Sequence, residues 1–177
     1  ISFEVFSDDI PEMVAQGRVI ASWGKNVYVK LPVTTTRKEP LFDAVRTLSA
    51  DGVKINLTAI FTADQVKQAM TALNGGAPAC VSVFAGRLAD FGIDYAPLIR
   101  DSIAQARATP NVEIIWASTR EPYNVVEANQ MGCHIITAPA DVLKKLPAMG
   151  TRTGEELSLD AVKAFREDAL SVGLSLK

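Results

Sequence analysis

Six short runs rich in Val, Ile, Phe and Tyr recur along the chain, at residues 2–6, 27–31, 53–57, 79–83, 113–117 and 134–137. Each is bounded by turn-forming or helix-forming residues, so the runs predict buried strands. The intervening segments carry helical period: Val66, Ala69, Met70 and Leu73 fall at i, i+3, i+4 and i+7, one face of a helix. That helix opens on Thr62-Ala63-Asp64-Gln65, the spacing of a capping box. Ile99, Ile103 and Ala106 make a second stripe, stopped by Pro110. Gly52, Gly75, Gly76 and Gly132 stand where helices should end. Apolar strands alternating with helices argue for a parallel sheet covered by helices. No G-x-G-x-x-G and no P-loop follows any strand, so a nucleotide-binding doubly wound sheet loses its main support.

At 177 residues, 48% apolar and 21% charged, the chain predicts one globular domain with a sizeable core. A formal charge of -2 offers no electrostatic footprint for nucleic acid or an anionic membrane. No apolar run approaches the ~20 residues that span a bilayer, and no signal-peptide pattern is present, so a cytoplasmic location is expected. Cys80 and Cys133 each lie beside a strand-like run and are expected to be buried thiols of a cytosolic protein. With one histidine and two distant cysteines, no metal site is expected.

One strand breaks its own pattern. In Val27-Tyr28-Val29-Lys30-Leu31-Pro32-Val33-Thr34 a lysine interrupts an apolar run. Lysine is almost never fully buried unless paired. Held in a low-dielectric interior it would lose its ammonium form more easily and could attack a carbonyl to form a Schiff base. The plainer reading is an edge strand with Lys30 turned to solvent, or a snorkelling head group. Polar residues recur near the carboxyl ends of the other strands: Glu4, then Asn56 and Thr58, Ser82 and Arg87, Ser118 and Arg120. A βα barrel gathers its active site at that face from several strands, whereas a doubly wound sheet concentrates it at one switch point. The distribution favours the barrel. Taken singly, each residue has a duller role. Glu4 is a solvated charge, Asn56 and Thr58 are turn residues, Arg87 and Arg120 are surface ion-pair partners, Ser118 is a helix cap, and Phe84 belongs to the core.

Taken together, these segments resemble one family. The Val27 to Thr34 run resembles the Schiff-base strand of the transaldolase family, including its fructose-6-phosphate aldolase branch. Lys54-Ile55-Asn56-Leu57-Thr58-Ala59-Ile60-Phe61-Thr62 resembles the next strand. Cys80-Val81-Ser82-Val83-Phe84-Ala85-Gly86-Arg87-Leu88-Ala89-Asp90 resembles the S-x-F-x-G-R-x-x-D segment, and Trp116-Ala117-Ser118-Thr119-Arg120 the phosphate-binding A-S-x-R segment. The resemblance implies a (β/α)8 TIM barrel of the class I aldolase type, sugar-phosphate substrates, no cofactor, and a place in carbohydrate metabolism through the pentose phosphate pathway. By the same likeness Lys30 is the Schiff-base nucleophile, and Glu4 and Thr58 hold a catalytic water. Asn56 and Ser82 position substrate, while Arg87, Ser118 and Arg120 bind its phosphate. Phe84 and Glu4 match transaldolases, where the aldolase branch carries tyrosine and glutamine. A phenylalanine cannot relay a proton to the enamine, so transfer of a dihydroxyacetone unit to an aldose phosphate is expected. The alternatives are a fructose-6-phosphate aldolase-type lyase and a non-catalytic sugar-phosphate-binding relative.

The sequence also departs from the family. The L-D-T-A-D-like and G-V-T-T-N-P segments of its first two strands do not occur, and residue 1 is isoleucine. About six of eight βα units are counted, in a chain shorter than the ~200-residue lower bound of such barrels. An amino-terminal truncation is therefore expected, removing the family's acid/base aspartate. After Gly154 a carboxyl-terminal helix is expected over 155–173, capped near Ser158, with Val162, Phe165, Ala169 and Val172 on one face. By resemblance it packs on a neighbouring subunit of a homo-oligomer; the alternative is its own barrel.

Overall fold

The computed structural model describes residues 1–174. The chain divides into two compact units, Ile1–Pro139 and Ala140–Lys177. The first alternates strand and helix: β1 (Ser2–Glu4), α1 (Ile10–Ala21), β2 (Tyr28–Pro32), α2 (Phe42–Ala50), β3 (Ile55–Ile60), α3 (Ala63–Leu73) and β4 (Ala79–Phe84). It continues with α4 (Ala85–Asp90), α5 (Ala96–Arg107), β5 (Val112–Ala117), α6 (Tyr123–Met131) and β6 (Ile135–Ile136). All five strand pairings are parallel, and the spatial order β1-β2-β3-β4-β5-β6 equals the chain order. A doubly wound sheet reverses its order at a switch point, and this one never does. Six parallel strands in unbroken succession with intervening helices are a partial (β/α)8 barrel.

Period-2 alternation divides the strands between two faces. Val29, Leu31, Ile55, Leu57, Val81 and Trp116 are buried on the side covered by helices. Against them pack Val45 and Leu48 of α2, Val66 and Leu73 of α3, and Ile99 and Ile103 of α5. The opposite face carries the polar side chains in register: Glu4 lies beside Lys30, Lys30 beside Asn56, and Asn56 beside Cys80. A smaller apolar cluster on that face joins Cys80, Ile115 and Ala117.

The Thr62 capping box forms as its sequence predicts: the Thr62 hydroxyl accepts from Gln65 N while the Gln65 side chain accepts from Thr62 N. Both cysteines are free thiols, Cys80 buried and Cys133 half-buried. Burial pushes the Cys80 thiol up to about 11. Strand boundaries shift from the sequence expectation: β1 ends at Glu4, and β3 begins at Ile55 and runs on to Ile60.

The second unit holds α7 (Ala140–Leu143), a short 3-10 turn (Leu146–Ala148) and α8 (Gly154–Ser171). The cap of α8 is Thr153 rather than Ser158. Thr153 and Glu156 form a second capping box, satisfying two backbone amides five residues before the expected cap. Leu157, Val162, Phe165 and Val172 are exposed along it.

Candidate active site

A cleft of about 530 Å³ opens on the polar face of the sheet. Lys30 of β2, Asn56 and Thr58 of β3, Ser82 and Phe84 of β4, Arg87 of α4 and Ser118 after β5 all line it, together with Ser2, Ile115, Ala117 and Thr137. Seven of the nine residues singled out in the sequence therefore meet in one cavity. The other two, Glu4 and Arg120, do not line it.

Lys30 faces away from Val29 and Leu31, so the apolar run conceals a two-faced strand. Its side chain is 32% exposed, between the buried and the solvent-turned readings of the sequence. The neighbour in register, Glu4, accepts a hydrogen bond from Nζ at 3.4 Å while itself 55% exposed. A carboxylate at that distance can take a proton from the amine or hold a water beside it.

On β3 and β4 the polar groups are tightly linked. The buried Ser82 hydroxyl donates to Asn56 Oδ1 at 2.7 Å, and Asn56 Nδ2 donates to Ser2 Oγ at 3.0 Å. This fixes which way the Asn56 amide points. Thr58 is 3% exposed and its Oγ1 has no partner. A buried hydroxyl without a partner is costly, so a polar group or water in the cleft is its natural complement. The register between β3 and β4 shifts between Leu57 and Ile60, where Ala59 adopts φ 61°. Such bulges re-aim side chains beside active sites.

The end of β4 and the loop after β5 form the other wall. The Phe84 and Phe61 rings pack tilted at 55° with centres 5.3 Å apart, and the Arg87 guanidinium lies 5.5 Å from the Phe84 ring centre. Gly86 allows helix α4 to meet this loop: a Cβ there would lie 1.7 Å from the Ser118 carbonyl oxygen. Ser118 itself sits at φ 65°. Arg120 is committed elsewhere, its Nε 3.0 Å from both Asp90 carboxylate oxygens. Its hydrogen bonds hold the Asp90 carboxyl below the usual 3.8. Here the ion-pair reading of the sequence describes what Arg120 does, because Asp90 is three residues beyond Arg87 and α4 carries it across to the loop. Nor does Ser118 cap α6: the N-cap is Pro122 without a side-chain bond.

A family model described as Transaldolase/Fructose-6-phosphate aldolase matches residues 1–176. The chain belongs to that family. A probable transaldolase of Thermoanaerobacter sp. is 36% identical over 177 residues, 99% of this chain and 76% of the relative. Probable transaldolases of Clostridium acetobutylicum and Nitrosopumilus maritimus are 43% and 38% identical over 148 residues, spanning 82% of this chain and 65% and 63% of theirs. The family's barrel is the architecture of the six strands.

Ser2 escaped notice in the sequence, although it precedes Glu4 by two residues and so shares its face. Ile115, Ala117 and Thr137 carry no local signal of their own. Among the described residues no group of three or more His, Cys, Asp or Glu side chains is placed to hold a metal ion, and no helix is long and apolar enough to cross a membrane.

Proposed function

We propose that the cleft performs a transaldolase-type Schiff-base transfer, moving a dihydroxyacetone unit from a ketose phosphate to an aldose phosphate. Lys30, as the free amine, attacks the ketose carbonyl, and water leaves as the imine forms. The bond between the carbon next to the imine carbon and the hydroxyl-bearing carbon beyond it then breaks. Its electron pair moves into an enamine, the proton of the departing carbinol passes to water, and an aldose phosphate is released. The enamine carbon attacks the carbonyl of a second aldose phosphate, the new alkoxide takes a proton back from water, and hydrolysis of the imine releases the product and returns the lysine.

Glu4 and Thr58 hold the water that carries protons, and Asn56 and Ser82 grip the sugar hydroxyls. Arg87 and Ser118 bind the phosphate, with Arg120 behind them; a guanidinium suits phosphate oxygens by charge and geometry. Phe84 offers no proton to the enamine, which favours transfer over release of a free ketone. The convergence of Lys30 with the hydroxyls of Thr58, Ser82 and Ser118, the Asn56 amide and the Arg87 guanidinium on one cleft carries this reading.

Turnover of fructose 6-phosphate with and without erythrose 4-phosphate tests it. A sugar-phosphate product that requires the acceptor is expected. Rapid release of free dihydroxyacetone without acceptor would instead mark a lyase, and no turnover in either case a binding relative.

A further inference from the structure

The loop bearing Ser118 is held in a conformation that few residues adopt unaided, and it is supported from three sides. Ser118 is left-handed at φ 65°. Non-glycine residues stay there only where the surroundings over-determine the backbone. On one side the bare Gly86 backbone abuts the Ser118 carbonyl. On another, the Thr119 hydroxyl donates to the Thr137 carbonyl. The third support is a chain of side chains. Asn124, 5% exposed, accepts at Oδ1 from Arg120 N at 3.0 Å and Glu121 N at 3.2 Å. Its Nδ2 donates to Glu127 at 2.9 Å, and both Glu127 oxygens accept from the Tyr95 hydroxyl at 2.9 Å. The Tyr95 ring stands edge-on to the fully buried Trp116, 5.1 Å between centres.

We infer that Asn124 is a positioning residue for anion binding: tethered through Glu127 to Tyr95, it fixes the backbone after Ser118 so that this loop can grip a substrate phosphate. The inference rests on the sugar-phosphate reading above. An amide suits the place for a definite reason. Two amide protons following a strand need an acceptor, and an apolar residue would orphan both. A carboxylate would satisfy them but could not donate to Glu127 and would set two carboxylates at hydrogen-bond distance. The same device recurs at the ends of β1 and β3. Gln16 accepts from Phe6 N and Ser7 N, and Gln65 from Phe61 N and Thr62 N. Asn124 differs in being buried; Gln16, like it, passes a hydrogen bond on to a glutamate, Glu12. Burial, followed by the Glu127 hydrogen bond, pushes the Tyr95 phenol up to about 12, so the hydroxyl remains a donor across the neutral range.

The test compares wild type with Asn124→Ala and Tyr95→Phe in two measurements. One is the affinity for inorganic phosphate by calorimetry. The other is the borohydride-trapped adduct at Lys30 formed from dihydroxyacetone, which has no phosphate. Near-UV circular dichroism monitors the fold. Phosphate affinity should fall about tenfold in Asn124→Ala, the scale of orphaning buried donors, and about threefold in Tyr95→Phe, which loses one hydroxyl. Trapping should fall by much less in both. Wild-type phosphate affinity in a folded Tyr95→Phe overturns the inference, whether or not Asn124→Ala folds. So does an equal fall in both measurements, which would make the network a general support of the sheet. A wild-type protein that binds no phosphate overturns the sugar-phosphate reading itself, and the inference with it.

Discussion

The two faces of the sheet draw on alternate residues of the same strands for opposite purposes. On the helix-covered face Val29, Leu31, Ile55, Leu57, Val81 and Trp116 are closed off from water and bonded only by packing. On the other face, one residue along, Lys30 is part-exposed, Thr58 lacks a partner for its hydroxyl, and Asn56 is spanned between two serines. The first face is held by packing, with only the Trp116 indole N–H and the Ser49 hydroxyl of α2 left without partners among the described residues. The second leaves hydrogen-bonding capacity and charge unspent, at a cost in stability, and that is what a ligand can use.

The contrast predicts a strict separation of effects between neighbours. Leu31→Ala should cost about 2–5 kcal/mol in urea denaturation, the range for emptying a buried leucine site. Lys30→Met, its neighbour, should cost less than about 1 kcal/mol, since it removes only a part-exposed ion pair. Comparable losses in the two variants would break the division of faces. Gly86→Ala comes next. With a methyl group driven against the Ser118 carbonyl, α4 and the loop must separate, at about 1–3 kcal/mol in the same assay and with loss of phosphate binding. Thr58→Val should move the other way. Replacing an unpartnered buried hydroxyl by a methyl group raises stability by up to about 1 kcal/mol, while substrate turnover falls.

The smallest effect concerns pH. The Asp90 carboxyl is depressed chiefly by its hydrogen bond to Arg120. A depressed carboxyl contributes stability that is present above the unfolded value near 3.8 and is lost as pH falls through the lower folded value. Urea midpoints of wild type and Asp90→Asn should therefore differ at neutral pH and converge in acid. A gap that persists below that window would mean the pair acts through packing rather than charge.

What the sequence discloses follows the same division. The helix-covered face is written in local patterns. Period-2 runs, the 3.6-residue stripe of α3 and the Thr62 capping box all depend on residues close in the chain, so each could be read directly. Lys30 was legible for the same reason, as a charge breaking an apolar run. The details of the open face depend on contacts between distant segments. The left-handed Ala59 and Ser118 follow from a register shift and from Gly86 reaching across, and neither alanine nor serine announces such a conformation. Arg120 and Asp90 are thirty residues apart, and nothing local marks their pairing. The sequence left the burial of Lys30 open, because an alternating strand with apolar residues on both faces reads as a continuous apolar run.

The central claim is that Lys30 is the nucleophile of the open face, and borohydride reduction in the presence of fructose 6-phosphate tests it most directly. Peptide mass spectrometry should place one reduced sugar adduct on Lys30, absent from Lys30→Met. An adduct on another lysine, such as Lys54 beneath Tyr28, or no adduct in the folded protein, would contradict it.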